Sequence, residues 1–434
     1  MPDMTSRLLP GLISRRLEGL DTGEGFILPE YNGASILNIP DSICELLGAP
    51  GLGPGGLHPG FLPDLGGEPG TNREVQRVIL VLVDALSLDR MQRWMAAGEL
   101  PVWDALMRDG QLAPLTSIVP STTAAALTTF WTGRSTAEHA IAGYELWLKE
   151  YGIVANMIVQ NPISYQAGSA GSLSLAGFRP EEFLGLPTLG THLLSHGVKT
   201  YAFQQHSLIQ SGLSQMLLKD VNVQGFGNAT DLWINLRQLI EVRPHERMYA
   251  WVYWGEVDHY SHIYGPDDEH PRAEFSLFSQ AMDQLFLKRL SPELRRGTLL
   301  LLCADHGQTT TRKDPYYDLR NHPGLTRRLH ILPTGENRLA YLYIRPGQTE
   351  AVREYIERTW AKQFLLLDPV YAVERGLFGP GNANPHLMDR LGDLIVAARG
   401  DAYLWWASKE NPLVGRHGGL SPEEMLVPFI SVRL

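Results

Sequence analysis

The sequence predicts an α/β fold: a doubly wound, mostly parallel central sheet with helices on both faces, and a small inserted α+β cap. Short apolar runs recur along the chain, and stretches with a helical spacing of apolar residues separate them. Strands that alternate with helices form a parallel sheet covered on both faces. The 434 residues, 44% apolar and 19% charged, are enough for one large domain or two.

The predicted strands have the length and nearly continuous apolar character of strands buried on both faces. They cover RVILVLVD (77–84), KTYAFQQ (199–205), MYAWVYW (248–254), TLLLLCAD (298–305) and DLIVAARG (393–400). Helical patterns lie between them, for example over residues 89–110 and 231–242. Ligands of open α/β sheets bind at the carboxyl ends of the strands, so polar residues that follow these runs are candidates for a functional site.

Changes in composition along the sequence predict a division of the chain into three parts. Residues 1–74 are predicted to be an N-terminal extension that packs on the core, with a Gly/Pro-rich loop, GAPGLGPGGLHPGFLPDLGGEPG, at 48–70. Residues 75–310 and 393–434 are predicted to form the core. Residues 311–392, rich in Arg and Pro and with their own strand-like segment LAYLYIR, are predicted to be a cap inserted over the site.

Charge and cysteine content exclude several classes of protein. A net charge of −10 argues against nucleic-acid binding, which needs clustered Lys and Arg. Cys44 and Cys303 are too few for a disulfide framework, and core packing is the expected role of both. Arg7, Arg15 and Arg16 are not followed by an apolar segment of signal-peptide length, and no run approaches a membrane span, so we expect a cytoplasmic protein without a membrane partner.

Candidate metal ligands follow two of the apolar runs. Asp84 ends the first run, and Asp305-His306 precedes Gly307 at the end of the fourth. A carboxylate beside an imidazole suits zinc, which accepts both oxygen and nitrogen donors. An Asp that merely caps the end of a strand is the alternative interpretation.

A second group of candidate ligands follows the third run. Asp258 and His262 are four residues apart, so on a helical turn their side chains point the same way. His259 is an alternative ligand, but its position next to Asp258 turns it away in a helix. His417 lies in Arg-His-Gly-Gly near the end of the chain.

A hydroxyl-rich segment lies between these groups in the sequence. The stretch PSTTAAALTTFWTG (120–133) predicts a helix that begins near Thr123 and ends at Gly133. A hydroxyl at a helix N-terminus lies among free backbone N–H groups that favour a phosphate, although a Thr with a purely local capping bond is the alternative. A nearby divalent cation makes such a hydroxyl a competent nucleophile. Ligands for two metal ions and a hydroxyl together indicate metal-assisted phosphoryl transfer.

Four segments resemble the alkaline phosphatase superfamily and, within it, the type I phosphodiesterase/nucleotide pyrophosphatase branch. They are VPSTTAAALTTFWTGRSTAEHAIAGY, EVDHYSHIYGP, ADHGQ, and RHGG with the downstream EEMLVPF. The resemblance covers most of residues 77–310 and resumes near 417. It implies an alkaline phosphatase-like fold, and in its first segment it selects Thr123 rather than Ser121 or Thr122 as the nucleophile.

The resemblance also implies two divalent metal sites, most fittingly for zinc, although manganese or iron accepts the same donors. One site takes Asp84, Thr123, Asp305 and His306; the other takes Asp258, His262 and His417. The implied activity is hydrolysis of a small phosphorylated substrate, with a nucleotide among the candidates, by a phosphodiesterase/nucleotide pyrophosphatase or a phosphatase. Thr123 attacks phosphorus to give a phosphothreonine-type intermediate, which water then hydrolyses.

Two departures from the branch concern substrate contacts. Ala126 stands where nucleotide-cleaving members carry an asparagine that holds a phosphate oxygen, and Tyr144 replaces a second asparagine. We therefore assign substrate contacts to Arg134, His139, Tyr144 and Tyr260. The oligomeric state is left open by the sequence.

Other functions of the same fold are alternatives. A phosphomutase or a phosphonate hydrolase uses the same metal site. A non-catalytic regulatory module is a third possibility, against which the retention of every ligand and of the hydroxyl argues. A sulfatase is disfavoured because neither Cys44 nor Cys303 lies in a Cys-x-Pro-x-Arg context.

Overall fold

The computed structural model of the chain describes residues 3–63, 75–163 and 169–434. Its strands, in chain order, are β1 (Arg77–Val83), β2 (Gln111–Thr116), β3 (Glu145–Leu148), β4 (Ile153–Asn156), β5 (Asn161–Pro162), β6 (Lys199–Gln205), β7 (Asn222–Phe226), β8 (Met248–Trp254), β9 (Thr298–Cys303), β10 (Thr309–Thr310), β11 (Thr334–Glu336), β12 (Leu339–Leu342), β13 (Phe364–Leu367), β14 (Leu394–Ala398), β15 (Gly415–Arg416) and β16 (Leu426–Arg433).

The α-helices are α1 (Thr5–Ser14), α2 (Ile39–Leu46), α3 (Leu88–Ala96), α4 (Pro101–Leu106), α5 (Thr123–Thr132), α6 (Thr136–His139), α7 (Pro180–Phe183), α8 (Leu189–Ser195), α9 (Gly212–Leu217), α10 (Ala229–Val242), α11 (Glu256–Tyr264), α12 (Glu269–Leu285), α13 (Pro292–Arg295), α14 (Pro323–Thr326), α15 (Thr349–Thr359), α16 (Pro369–Glu374), α17 (Leu387–Leu391) and α18 (Pro422–Met425). Short 3-10 helices cover Ile36–Asn38, Ser172–Ala176, His206–Leu208, Leu287–Arg289, Pro315–Tyr317 and Leu319–Asn321. Within the described ranges, no helix combines the length and apolar character needed to cross a bilayer.

The central sheet has the strand order β2-β16-β9-β1-β8-β6-β7. The pairs that join β9, β1, β8, β6 and β7 are all parallel, and only β16 runs against its two neighbours. Four of the predicted runs form β1, β6, β8 and β9, and the residues of β1, β8 and β9 are buried throughout. Helices flank the sheet, so the predicted mostly parallel α/β fold is confirmed.

A second sheet, of order β13-β14-β12-β11-β3-β4-β5, is antiparallel throughout. The assignment of the run at 393–400 to the parallel sheet is wrong: its strand β14 pairs with β12 and β13 instead. All five residues of β14 are buried, and a run buried on both faces looks the same in either sheet. This sheet also contains β3, β4 and β5, which lie outside the predicted cap at 311–392. The division of the chain into domains stays a prediction.

The helical pattern at 89–110 is broken in the middle. It forms α3 and α4 because Gly98 turns the chain with φ +74° and Pro101 begins a new helix at its first turn. Helix α5 has the predicted bounds, with Gly133 as its left-handed C-cap at φ +62°. Helix α11 carries both Asp258 and His262, as predicted.

The N-terminal segment packs closely on the core. Within the Gly/Pro-rich stretch, residues 48–63 form neither helix nor strand, as predicted, and 64–70 lie outside the described residues. The Asp41 carboxylate holds this loop by accepting the N–H groups of Gly53 and Gly55 at 2.6 and 2.7 Å. A Cβ at Gly53 would lie 2.2 Å from the carbonyl oxygen of Gly133, so only glycine allows the loop to rest against the end of α5. Cys44 and Cys303 are buried free thiols, which confirms their expected role.

A fully buried ion pair fastens the second sheet to the C-terminal part of the core. Arg338, between β11 and β12, donates Nε and Nη2 to the two carboxylate oxygens of Glu424 at 2.8 and 2.9 Å, and both side chains are 0% exposed. Glu424 also accepts the N–H groups of Gly419 and Ser421 at 2.8 and 3.2 Å. The same carboxylate therefore orders the loop that follows His417.

Removal of one partner from this pair leaves an uncompensated buried charge. We expect Arg338→Ala to lower the free energy of unfolding by about 3–5 kcal/mol, measured by chemical denaturation. The control is Arg243→Ala, which breaks an ion pair with Glu246 in which Arg243 is 49% exposed, and we expect a loss below about 1 kcal/mol there. Equal losses in the two variants would contradict the structural role of Arg338.

Candidate active site

Three adjacent parallel strands deliver the predicted ligands to one edge of the central sheet. Asp84 directly follows β1, Asp305 and His306 follow β9, and α11 begins one residue after β8. In the sheet β9, β1 and β8 are neighbours, so their carboxyl ends lie side by side. The positions of these residues are therefore a consequence of strand order.

The first cluster contains Asp84, Asp305 and His306, all fully buried, with one potential ligand atom of each within 4.8 Å of the others. His306 Nε2 lies 3.5 Å from Asp84 Oδ1 and 3.4 Å from Asp305 Oδ2. Thr123 Oγ1 lies 3.2 Å from His306 Nε2 and 3.4 Å from Asp84 Oδ2. The structure thus brings together the four residues predicted for one metal site.

The second cluster contains Asp258, His262 and His417, again with ligand atoms within 4.8 Å of one another. Asp258 Oδ1 lies 3.3 Å from His262 Nε2 and 3.7 Å from His417 Nε2. The two clusters adjoin, because the rings of His306 and His417 stack with their centroids 4.0 Å apart. His259, the alternative ligand, is not a member of either cluster.

Backbone carbonyls orient two of the histidines. His262 Nδ1 lies 2.8 Å from the Gly415 oxygen, and His306 Nδ1 lies 2.9 Å from the Gly307 oxygen. A carbonyl can only accept, so Nδ1 carries the proton in His306, and the Gly415 carbonyl favours the same tautomer in His262, where the Gln308 amide also lies 3.0 Å from Nδ1. In this tautomer the Nε2 lone pair faces the cluster. This is the tautomer that a metal ion requires.

The donor atoms fit cations. Asp84 Oδ1 and Asp305 Oδ2 are buried without a hydrogen-bond partner among the described residues, and such oxygens are costly unless a ligand meets them. Burial raises the pKa of Asp84 well above its usual range, and the charges of Asp305 and Asp258 raise it further. Burial likewise raises the pKa values of Asp258 and Asp305 and lowers those of the histidines in both clusters. Mixed carboxylate and imidazole donors suit zinc.

The start of α5 differs from an ordinary capped helix. Thr122 is the N-cap residue but its side chain makes no capping bond, and it donates instead to Glu336 Oε1 at 2.6 Å. Thr123, 8% exposed, directs its hydroxyl toward the first cluster rather than to the local backbone. The alternative of a local capping threonine is therefore wrong for both residues.

A cavity of about 1390 Å³ opens between the core and the second sheet, and Thr123, Asp258, His262 and His417 contribute to its wall. A smaller cavity of about 150 Å³ also reaches Thr123, on the side of Asp84 and Tyr253. Tyr253 donates its hydroxyl to Asp84 Oδ2. Thr123 thus borders both cavities.

Of the residues assigned to substrate contacts, only Tyr144 lines the large cavity. Arg134, which precedes the short helix α6, pairs through Nη1 with Glu138 of that helix at 3.2 Å. His139 is an interior residue: its Nε2 lies 3.1 Å from Thr129 Oγ1, and burial lowers its pKa to about 3.

Tyr260 lies on the exposed side of α11, with its ring near those of Tyr264 and His270. The structure does not bring Arg134, His139 or Tyr260 to the described wall of the large cavity. A helix has several faces, and the resemblance located the segments but not the faces that these side chains occupy.

Sequence reasoning missed Gln308 and Glu336. Gln308 Nε2 lies 3.4 Å from Asp258 Oδ1 and 3.0 Å from His262 Nδ1, and its place directly after Asp-His-Gly was the available signal. Glu336 ends β11, lines the cavity and accepts hydrogen bonds from Thr122 Oγ1 and the Tyr144 N–H. Burial raises the pKa of Glu336 to about 8, and no motif marks it in the sequence.

Known proteins share this fold. The structure is similar to murine ectonucleotide pyrophosphatase/phosphodiesterase 5, with a TM-score of 0.59 and 17% identity over 82% of this chain and 88% of that chain. It is also similar to phosphonoacetate hydrolase from Sinorhizobium meliloti in complex with phosphonoformate, with a TM-score of 0.58 and 18% identity over 82% of this chain and 90% of that one. At these identities the likeness concerns the fold.

Comparison with curated protein sequences gives no significant match. The sequence profile of the type I phosphodiesterase/nucleotide pyrophosphatase family, in contrast, matches residues 78–420, which is most of the chain and includes both clusters and Thr123. The protein therefore belongs to the type I phosphodiesterase/nucleotide pyrophosphatase family, within the alkaline phosphatase superfamily.

Proposed function

We propose that the protein hydrolyses phosphate esters with Thr123 as the nucleophile and two divalent metal ions, zinc by preference, held by the two clusters. The observation that carries this proposal is the position of Thr123 Oγ1, 3.2 Å from His306 Nε2 and 3.4 Å from Asp84 Oδ2, beside a second set of ligands. Asp84, Thr123, Asp305 and His306 would hold one ion, and Asp258, His262 and His417 the other.

When bound, such ions act as Lewis acids that stabilise the charge on the attacking and leaving oxygens of an in-line displacement. Thr123 Oγ1 loses its proton to solvent in the cavity and attacks phosphorus, the bond from phosphorus to the leaving oxygen breaks, and that oxygen takes a proton from water. Water then attacks the phosphothreonine, and the cleaved bond returns the hydroxyl to Thr123. The free N–H groups at the start of α5 would favour the negative charge of a phosphoryl group bound at Thr123.

The ester class is a narrower proposal. An inactive variant of murine ectonucleotide pyrophosphatase/phosphodiesterase 5, at 17% identity, has been solved with AMP, and the Sinorhizobium meliloti hydrolase with phosphonoacetate. A phosphonate hydrolase is therefore the second candidate for this site. The large cavity favours esters with a bulky substituent over a small phosphonate.

Substitution of the nucleophile tests the mechanism. We expect Thr123→Val, which keeps the shape of the side chain but lacks the hydroxyl, to lower kcat for p-nitrophenyl phosphate esters about a thousandfold or more. The control is Thr132→Val at the other end of α5, whose hydroxyl bonds to the Thr128 carbonyl at 2.7 Å. We expect this control to retain most of the activity. A Thr123→Val protein with wild-type kcat and zinc content would refute the proposal.

Metal binding is expected to depend on pH. Burial raises the pKa values of Asp258 and Asp305 from the ordinary carboxyl range to about 7, so below this pH the metal-free clusters hold protons that zinc must displace. Zinc affinity therefore falls as pH decreases from about 8 to about 6, and binding releases protons. Competition with a chromophoric chelator at several pH values measures this dependence, and full chelation is expected to abolish activity.

Substitutions by asparagine give this pH experiment its control. Asp305→Asn is expected to reduce both the zinc content and the proton release, whereas Asp104→Asn changes an exposed residue of α4 and leaves both unchanged. Zinc affinity that is independent of pH over this range would contradict the assignment of the buried carboxylates as ligands.

A further inference from the structure

Helix α5 begins with backbone N–H groups that have no partner in the described part of the chain. The N–H groups of Thr123, Ala124 and Ala125 make no hydrogen bond there, and all three residues are buried. No acidic residue lies in the first turn of this helix. Buried donors at the positive end of a helix cost free energy unless an acceptor meets them, and an anion is the acceptor that this position favours.

The side chain of Thr122 is the expected internal acceptor for these groups. Thr122 has the extended backbone of an N-cap residue, with φ −142° and ψ 146°, and a threonine in this conformation caps a helix by accepting the N–H of the third helical residue, here Ala125. The N-cap residues of α3 and α10, Ser87 and Asn228, make this bond at 3.3 and 3.0 Å. Thr122 makes no capping bond, so another contact holds its hydroxyl away from the helix.

Glu336, at the end of β11, provides that contact. Thr122 Oγ1 donates to Glu336 Oε1 at 2.6 Å, and the same oxygen accepts the Tyr144 N–H at 2.8 Å. Burial raises the pKa of Glu336 to about 8, but Oε1 can accept both bonds whether or not the other oxygen carries a proton. The Thr122 hydroxyl is thereby turned toward the second sheet instead of toward α5.

Glu336 is itself held in place by the loop that follows His417. It is 9% exposed, and a Cβ at Gly418 would lie only 2.4 Å from the Cβ of Glu336. Gly418 has φ +105°, so both its conformation and this close approach require glycine. Ser121, at the entry to α5, donates to the Gly419 oxygen of the same loop at 2.7 Å. These contacts fix the carboxyl relative to the start of α5.

We propose that Glu336 is a positioning residue for phosphoryl binding: by accepting the Thr122 hydroxyl, it prevents Thr122 from capping α5 and keeps the first N–H groups of that helix free. This inference rests on the proposed function, because it takes the phosphoryl group to bind at Thr123. Glu336 needs no contact with the substrate for this role. Loss of Glu336 is therefore harmful through the released Thr122 hydroxyl.

Substitutions of Glu336 in the zinc-loaded full chain measure this effect. In Glu336→Ala the freed Thr122 hydroxyl can cap Ala125. We expect this to weaken inhibition by inorganic phosphate, and to lower kcat for p-nitrophenyl phosphate esters, by about tenfold each. Glu336→Gln keeps an acceptor oxygen for Thr122, and we expect it to stay within about threefold of the wild type in both measurements.

A double variant distinguishes this role from simple packing. Thr122→Val keeps the shape of the side chain but has no hydroxyl with which to cap the helix. In the Glu336→Ala background we expect it to recover most of the lost phosphate inhibition and kcat, whereas alone it changes both by less than about threefold. If Glu336 acted only through packing, the double variant would be no better than Glu336→Ala.

Glu145→Ala is the matched control. Glu145, on the neighbouring strand β3, lines the same cavity, but it accepts the Trp406 indole N–H at 2.8 Å and makes no hydrogen bond to Thr122. We expect Thr122→Val to recover none of the activity that Glu145→Ala loses. Should Glu336→Ala fail to fold, Glu336→Leu takes its place, because leucine fills most of the same volume and likewise offers Thr122 no acceptor.

The outcomes separate this inference from the function on which it rests. If the wild type hydrolyses esters, then either wild-type kcat and phosphate inhibition in Glu336→Ala or no recovery in the double variant overturns the inference and leaves the hydrolase proposal standing. If no ester is hydrolysed, the proposed function fails, and calorimetric titration with inorganic phosphate decides the inference. Glu336→Ala must then bind phosphate more weakly than the wild type, and the double variant must regain the affinity. Any other result, including no binding by the wild type, overturns it.

Discussion

Three carboxylates and three imidazoles meet beside the carboxyl ends of β9, β1 and β8, with the first cluster buried and the second partly buried. Within the described ranges, Asp84 and Asp305 each leave a buried oxygen without a hydrogen bond, and burial raises the pKa of both. Buried carboxylates that are ionised without a nearby cation cost free energy. The site therefore favours the binding of positively charged ions. The remaining structure supports this set: strand order places it, and backbone carbonyls orient its histidines.

The two sheets form opposite sides of the site. The central sheet and α5 position the two clusters and Thr123, while the antiparallel sheet provides the opposite wall of the cavity. The Arg338–Glu424 pair connects them, since Arg338 belongs to a hairpin of the second sheet and Glu424 orders the loop after His417. The shape of the cavity therefore depends on a pair that itself faces neither the cavity nor solvent.

Local patterns in the sequence were sufficient for much of the fold. Four apolar runs and the start of α5 were predicted at their observed positions, because period and end signals are properties of neighbouring residues. The grouping of the seven predicted metal ligands followed from strand ends and from the family resemblance. The membership of β14 in the second sheet was not predictable in this way, because a strand buried on both faces carries no sign of its partner. Glu336 likewise comes to Thr122 only through long-range pairing of β11 with β3.

The contact between Gly53 and Gly133 connects the N-terminal segment to α5, the helix that begins at the proposed nucleophile Thr123. The family profile begins only at residue 78, yet α2 and the loop after it pack against α5, and Ile36, Leu37 and Ile39 are fully buried there. A fragment limited to residues 78–420 would expose this apolar surface to solvent. It would also lose the contact of Gly53 with the C-terminal end of α5. The segment before the matched region thus supports α5, and a shorter version of the chain needs other contacts to hold Thr123 in place.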